Sequence, residues 1–307
     1  MPELPEVEVV RAGIEPAVTG AIVAGVEIFD ERSLRRHDSA EGSFVSQLTG
    51  RRVLGAVRRG KFLWLPLDSG KALVIHLGMS GQVLLRAPGS TDDRHVRIRL
   101  ALDRSALDPD PELGELWVNF VDQRIFGSMA IDTMAATNDG RDAGYSGGGT
   151  GPWSTSVPSQ VAHIARDPLD PAFSAPGFIA GLARRHSGIK RALLDQTLLS
   201  GIGNIYADES LFAERLHYDQ PSSSLSADQA RSLLGALGTI LRRALIEGGT
   251  SFDSQYVNVN GQAGYFAHSL QVYGRQGDPC SRCGTTLVRE SFMNRGSHLC
   301  PTCQVLS

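Results

Sequence analysis

The chain has 307 residues, 41% of them hydrophobic, and a formal net charge of −3, enough sequence for two buried cores and a small appended module. No apolar run approaches the roughly 20 residues that cross a bilayer, which excludes a helical membrane protein. The acidic balance argues weakly against a nucleic-acid partner, but it is unevenly spread: residues 101–117 hold five acids against one arginine, and 280–307 hold three arginines against one acid. Only Lys61, Lys71 and Lys190 are lysines, against 27 arginines, so each retained lysine asks for a reason beyond charge.

In chain order, Glu3, Glu6 and Glu8 stand where a secretory signal would need positive charge, so a cytoplasmic protein is expected. A helix from Glu6 to about Val18 is predicted, interrupted by Pro16. Residues 21–131 then read as successive strands, with short β-branched and aromatic runs broken by Gly, Pro and Asp; Ala21–Ile28, Lys61–Leu65, Ala72–Leu77, Val96–Leu100 and Leu116–Val121 are the clearest, and they suggest a β-sandwich. Residues 138–160 carry six glycines and two prolines with no apolar period, as an exposed linker would. From 161 the pattern turns helical, with apolar residues at three and four from Ala230 to Ile246. Ser200-Gly201-Ile202-Gly203-Asn204 is a tight glycine turn between helices. It is either an ordinary connection or, through exposed N–H groups and the helix dipole, a phosphate-sized anion site.

The last module holds every cysteine, as Cys280-x2-Cys283-x16-Cys300-x2-Cys303. Two such knuckles suit a tetrahedral four-thiolate zinc site. The other readings are two disulfides, which suit secreted chains, or a redox pair, which normally sits alone near a βαβ unit. With four protein ligands the metal is closed to water and structural, so catalytic groups must lie elsewhere.

The start Met1-Pro2-Glu3-Leu4-Pro5-Glu6 offers one such group. With Met1 removed, Pro2 presents a secondary amine of pKa near the roughly 8 of an α-amino group, partly a free nucleophile at neutral pH. Attack on a sugar C1′ gives an iminium, whose electron demand acidifies the C2′–H for β-elimination of the phosphate. Glu3 could serve as general acid on the sugar oxygen or as proton shuttle. The same residues also start a helix well, and the stretch alone favours that plainer reading.

The balance changes with a resemblance. Pro2-Glu3-Leu4-Pro5-Glu6-Val7-Glu8, His76-Leu77-Gly78-Met79-Ser80-Gly81, Asp122-Gln123-Arg124-Ile125-Phe126-Gly127, Gly201-Ile202-Gly203-Asn204-Ile205-Tyr206-Ala207, Val272-Tyr273-Gly274-Arg275 and the four-cysteine module are similar, in order and over nearly the whole chain, to bacterial formamidopyrimidine-DNA glycosylases. That family excises oxidised purines, 8-oxoguanine and formamidopyrimidines, and nicks the abasic strand by β,δ-elimination. The resemblance implies an α+β multidomain fold: an N-terminal catalytic β-sandwich (1–135), the linker (136–160), a helix-two-turn-helix domain with a lesion-capping loop (161–272) and a zinc finger (273–307). It also implies damaged double-stranded DNA as partner, no membrane, monomeric action and one structural zinc.

Residue by residue, the resemblance makes Pro2 the Schiff-base nucleophile, Glu3 a proton donor, Lys61 the proton donor for β-elimination and Arg295 the zinc-hairpin arginine of δ-elimination and phosphate grip. A compact, mobile ammonium suits proton transfer better than a guanidinium. Met79, Arg124 and Phe126 would fill the hole left by the extruded nucleotide, with Arg124 on the orphaned base and Phe126 wedging the stack. Taken singly, Met79 and Phe126 would be core residues. Phosphate contacts would come from His95, Asn204, His186 and Lys190, the last two equally at home on a solvated helix face. The glycine-bearing stretch 248–266 matches the capping loop.

Ile125 stands where some members carry a second arginine, and the 101–117 and 138–160 stretches look long for the family, without a functional account. An endonuclease VIII-type enzyme usually begins Pro-Glu-Gly-Pro-Glu and lacks the methionine and Arg-x-Phe set, so Leu4, Met79 and Arg124 speak against it. A non-catalytic DNA-binding module would have little reason to keep Pro2, Glu3, Lys61 and Arg295 together.

Overall fold

The computed structural model describes residues 2–306 except 92, 108–113, 251–258, 261 and 263. The chain divides into two compact units, residues 1–163 with 251–264 and residues 164–250 with 265–307.

The first unit opens with α1 (Leu4–Val18), whose start is set by a proline in the first turn and by Glu6, whose carboxylate accepts the Glu3 N–H at 2.8 Å. Leu4, Val7, Val10 and Ile14 fall at three and four along one buried face. Pro16 does not interrupt this helix. It sits in the last turn, where Thr19 N–H still reaches the Glu15 carbonyl at 3.0 Å.

Two antiparallel sheets follow, with a short helix α2 (Phe44–Leu48) between their first strands. One sheet runs β1 (Ile22–Ile28), β6 (Val96–Asp103), β7 (Glu115–Asp122), β5 (Gly81–Arg86); the other runs β2 (Val57–Arg59), β3 (Phe62–Pro66), β4 (Lys71–His76), β8 (Ser128–Ala136), β9 (Ser156–Pro158). Val23, Ile98, Leu100, Val118 and Phe120 of the first share one core with Leu63, Leu65, Leu73, Ile75 and Met129 of the second and with the α1 face, so the expected sandwich is present.

Residues 136–160, expected to be an exposed linker, are packed onto the second sheet. β9 pairs with β8, Tyr145 and Arg58 exchange two backbone hydrogen bonds at 2.8 and 2.9 Å, and Ala143 and Val157 are buried. The segment covers the edge of β2, and its glycine content serves close approach as well as turning: a Cβ on Gly144 would stand 2.4 Å from the Arg58 carbonyl oxygen.

The second unit holds α3 (Ala175–Ala183), α4 (Ile189–Leu193), α5 (Asn204–Ala213), α6 (Ala227–Ile246) and a hairpin of β10 (Val288–Phe292) and β11 (Arg295–Leu299). A Ser226/Gln229 capping box starts α6, which buries Ala230, Leu233, Leu237, Leu241 and Ala244 on one stripe. Glu209 of α5 accepts the N–H groups of Gln271, Val272 and Tyr273, which ties the approach to the cysteine module to that helix. The capping-loop reading of 248–266 falls largely on 251–258, 261 and 263, outside the described residues. Among the described residues no helix is long and apolar enough to cross a membrane.

Candidate functional site

In the first unit Pro2 and Glu3 are buried at the head of α1, with Glu3 only 2% exposed. Glu6 and Glu8, read from the sequence merely as acidic N-terminal charge, are buried as well. Glu8 splits its carboxylate between Arg11 Nε at 2.9 Å and the fully buried Arg58 Nε at 2.8 Å, which fastens α1 to β2. Strand β2 leads into Gly60-Lys61, a two-residue hairpin loop with Gly60 at φ +57°, and Lys61 therefore rides on the tip of the β2–β3 hairpin.

His76 of β4 lies opposite Phe62 with ring centroids 4.8 Å apart, and the Arg36 guanidinium lies 5.4 Å from the Phe62 centroid. Burial, reinforced by Arg36, Lys61 and Arg35, holds the His76 pKa down to about 4. Its imidazole is thus neutral at physiological pH, with Nδ1 accepting the Gly78 N–H at 3.2 Å. Sequence reasoning missed His76 as more than a motif letter; its place two residues before Gly78, on a strand paired with the Lys61 hairpin, was the available signal.

Met79 and Phe126 are 38% and 43% exposed, so neither is a core residue. Their loops are locked to each other. A Cβ on Gly78 would stand 2.3 Å from the Phe126 carbonyl, which only glycine permits, and Gly78 has φ +63°. Asp122, fully buried, accepts the Ser80 hydroxyl, the Arg124 N–H at 3.1 Å and the Gly127 N–H at 2.6 Å. Arg124 stacks its guanidinium 4.8 Å from the Phe126 centroid. His95 is partly exposed at φ +70°, and its carbonyl accepts the Asp122 N–H at 3.1 Å.

In the second unit Arg295 is exposed at the first position of β11, directly after the Met293–Asn294 turn, whose two positive φ values of +43° and +61° suit a tight hairpin. The neighbouring Gly296 carbonyl accepts Asn204 Nδ2 at 2.9 Å and Lys190 Nζ at 3.1 Å. Lys190 is fully buried and pairs with Asp208 at 2.6 Å, while Asp208 also takes the Ser297 hydroxyl, the His298 N–H and the His298 ring. Lys190 is therefore not placed to touch DNA phosphate as the sequence suggested: it braces the hairpin from beneath. Asn204 spends part of its amide the same way, and His186 lies in the α3–α4 loop, on no helix.

The four cysteine sulfurs lie within 4.8 Å of one another, with Cys283 3.5 Å from both Cys300 and Cys303. Ligands at about 2.3 Å from a tetrahedral centre stand about 3.8 Å apart, so the sulfurs fit one zinc. The Arg282 and Cys303 N–H groups point at the Cys280 and Cys300 sulfurs, as in a metal knuckle.

Residues 1–129 match the formamidopyrimidine-DNA glycosylase N-terminal domain, 164–255 the formamidopyrimidine-DNA glycosylase H2TH domain, and 277–305 the zinc finger found in FPG and IleRS. The chain belongs to the formamidopyrimidine-DNA glycosylase family. It is 63% identical to the formamidopyrimidine-DNA glycosylase of Leifsonia xyli subsp. xyli over 306 residues, 99% of each chain, and 51% identical to that of Thermobifida fusca over 304 residues, 99% of this chain and 97% of the other. Among solved structures, the MutM (FPG) protein from Thermus thermophilus aligns with TM-score 0.78 and 34% identity over all of both chains. A Lactococcus lactis Fpg bound to abasic-site DNA aligns with TM-score 0.77 and 26% identity over 98% of this chain and 99% of the other. As a member of the formamidopyrimidine-DNA glycosylase family with a four-cysteine finger, the chain carries one structural zinc.

Proposed function

We infer that this chain is a bifunctional DNA glycosylase and abasic-site lyase of base-excision repair, which removes 8-oxoguanine and formamidopyrimidines from duplex DNA in the cytoplasm. The observation that carries the reading is family membership along the whole chain together with Pro2-Glu3 at the head of α1 and an exposed Met79, Arg124, Phe126 set on interlocked loops.

Once Met1 is gone, the Pro2 nitrogen attacks C1′ of the damaged nucleotide and the base departs with its bonding electrons and a proton. Glu3 protonates the sugar ring oxygen, which opens the ring and leaves an iminium between Pro2 and C1′. Loss of the C2′ proton feeds electrons into the iminium and expels the 3′ phosphate. A second elimination expels the 5′ phosphate and frees the protein on hydrolysis. Lys61 donates the proton in β-elimination, and Arg295 holds the phosphate and assists the second departure. His95 and Asn204 steady the backbone, while Met79, Arg124 and Phe126 occupy the vacated stack. Cys280, Cys283, Cys300 and Cys303 would hold the zinc, which would keep the hairpin that presents Arg295 folded.

Acylating the Pro2 amine tests this reading. Strand cleavage of 8-oxoguanine duplex should vanish while affinity for the same duplex stays within about twofold; an unchanged cleavage rate would leave only a DNA-binding role.

A further inference from the structure

Arg35 has no carboxylate partner among the described residues, and its guanidinium is committed to one short turn. It donates to the Ile125 carbonyl at 3.0 Å, the Gly127 carbonyl at 2.7 Å and the Phe126 carbonyl between them. On the same turn the buried Asp122 collects the Arg124 and Gly127 N–H groups. One cation thus holds the turn's carbonyls and one anion holds its amides.

Such a clamp has a load to carry. Ile125 sits at φ +56°, in the left-handed region, where a β-branched residue is a marked outlier. A conformation of this kind persists only where its surroundings over-determine it. On either side of Ile125 the chain displays Arg124 and the exposed Phe126.

We propose that Arg35 is a positioning residue for reading the base opposite the lesion. By fixing three consecutive carbonyls it keeps Ile125 left-handed and so aims Arg124 at the orphaned base and Phe126 into the gap. This rests on the reading that Arg124 and Phe126 enter the duplex. Small misplacements of such a probe are expensive: a shift near 1 Å can cost about a hundredfold in rate.

The experiment is single-turnover excision from duplexes with 8-oxoguanine opposite cytosine or adenine, alongside equilibrium binding to undamaged duplex and a thermal melt of each variant. For Arg35→Ala the expected result is a loss of about 10- to 100-fold opposite cytosine, a several-fold fall in the cytosine-to-adenine ratio, and unchanged affinity for undamaged duplex. Arg35→Lys, which keeps the charge but not the planar fork, should recover only part. Asparagine tolerates the left-handed region, so Arg35→Ala should cost several-fold less in an Ile125→Asn background. If Arg124→Ala abolishes the ratio while Arg35→Ala leaves it intact, or weakens all duplexes equally without coupling to Ile125, Arg35 is not a positioning residue. If Arg124→Ala itself leaves the ratio intact, the underlying reading of the turn falls and takes the proposal with it.

Discussion

At the residue scale, the side chains divide by whether their partners lie close in sequence. Pro2 and Glu3 by themselves read as a helix start, and only the resemblance singled them out as amine and proton donor; both are buried at the head of α1. Lys190 was not legible: the resemblance suggested phosphate and the pattern a solvated helix face, yet Lys190 is buried in α4 and Asp208, on another helix, pairs with it in the interior. Breaking such a pair from one side strands a buried charge and costs about 3–5 kcal/mol. Lys190→Met should therefore lower the urea midpoint sharply, and the salt slope of DNA binding should stay as in the parent; a slope reduced by about one with the midpoint unmoved would restore the phosphate contact. His76 gives a pH prediction. Its folded pKa of about 4 lies below its ordinary 6.5, so between those values the unfolded chain binds a proton that the folded chain does not. The stability tied to neutral His76 is complete above pH 6.5 and is lost as pH falls toward 4. Denaturant midpoints of the parent and His76→Gln, compared across that window, should converge as pH falls; parallel curves would contradict the assignment.

At the element scale, turns present the candidate site residues. Gly60 lets the β2–β3 loop present Lys61, Gly78 admits the Phe126 backbone, and the Met293–Asn294 turn exposes Arg295. These turns were visible as glycine motifs, but not what each glycine was making room for. The 136–160 segment was misread for a related reason: high glycine content looks the same in a free linker and in a strap pressed against a sheet edge. Only the packing of Ala143, Tyr145 and Val157 separates the two. The β10–β11 hairpin leans on the cysteine site at one end and on Lys190 and Asn204 at the other. Removing zinc with a chelator should abolish strand cleavage in step with metal released, read by a colorimetric zinc assay. Cleavage that survives complete metal loss would free Arg295 from dependence on the finger.

At the scale of the whole molecule, composition concealed the partner. A net charge of −3 coexists with an Arg35, Arg36 and Lys61 corner in one unit and an exposed Arg295 in the other, because field and not sum governs association with DNA. The order of a strand-rich half, a helical stretch and a cysteine pair of pairs was readable from periodicity and spacing. The pairing of distant strands into two sheets around one core, and the way 136–160 joins the second of them, depended on contacts that no local window contains. Every later step depends on covalent chemistry at Pro2, and borohydride trapping on duplexes carrying 8-oxoguanine opposite cytosine, thymine glycol, or no damage tests it directly. The expected result is one adduct, formed with the 8-oxoguanine duplex and mapped to Pro2. An adduct mainly with thymine glycol would reassign the substrate to oxidised pyrimidines, and none on any duplex, from Met1-free protein that binds DNA, would contradict the Schiff-base mechanism.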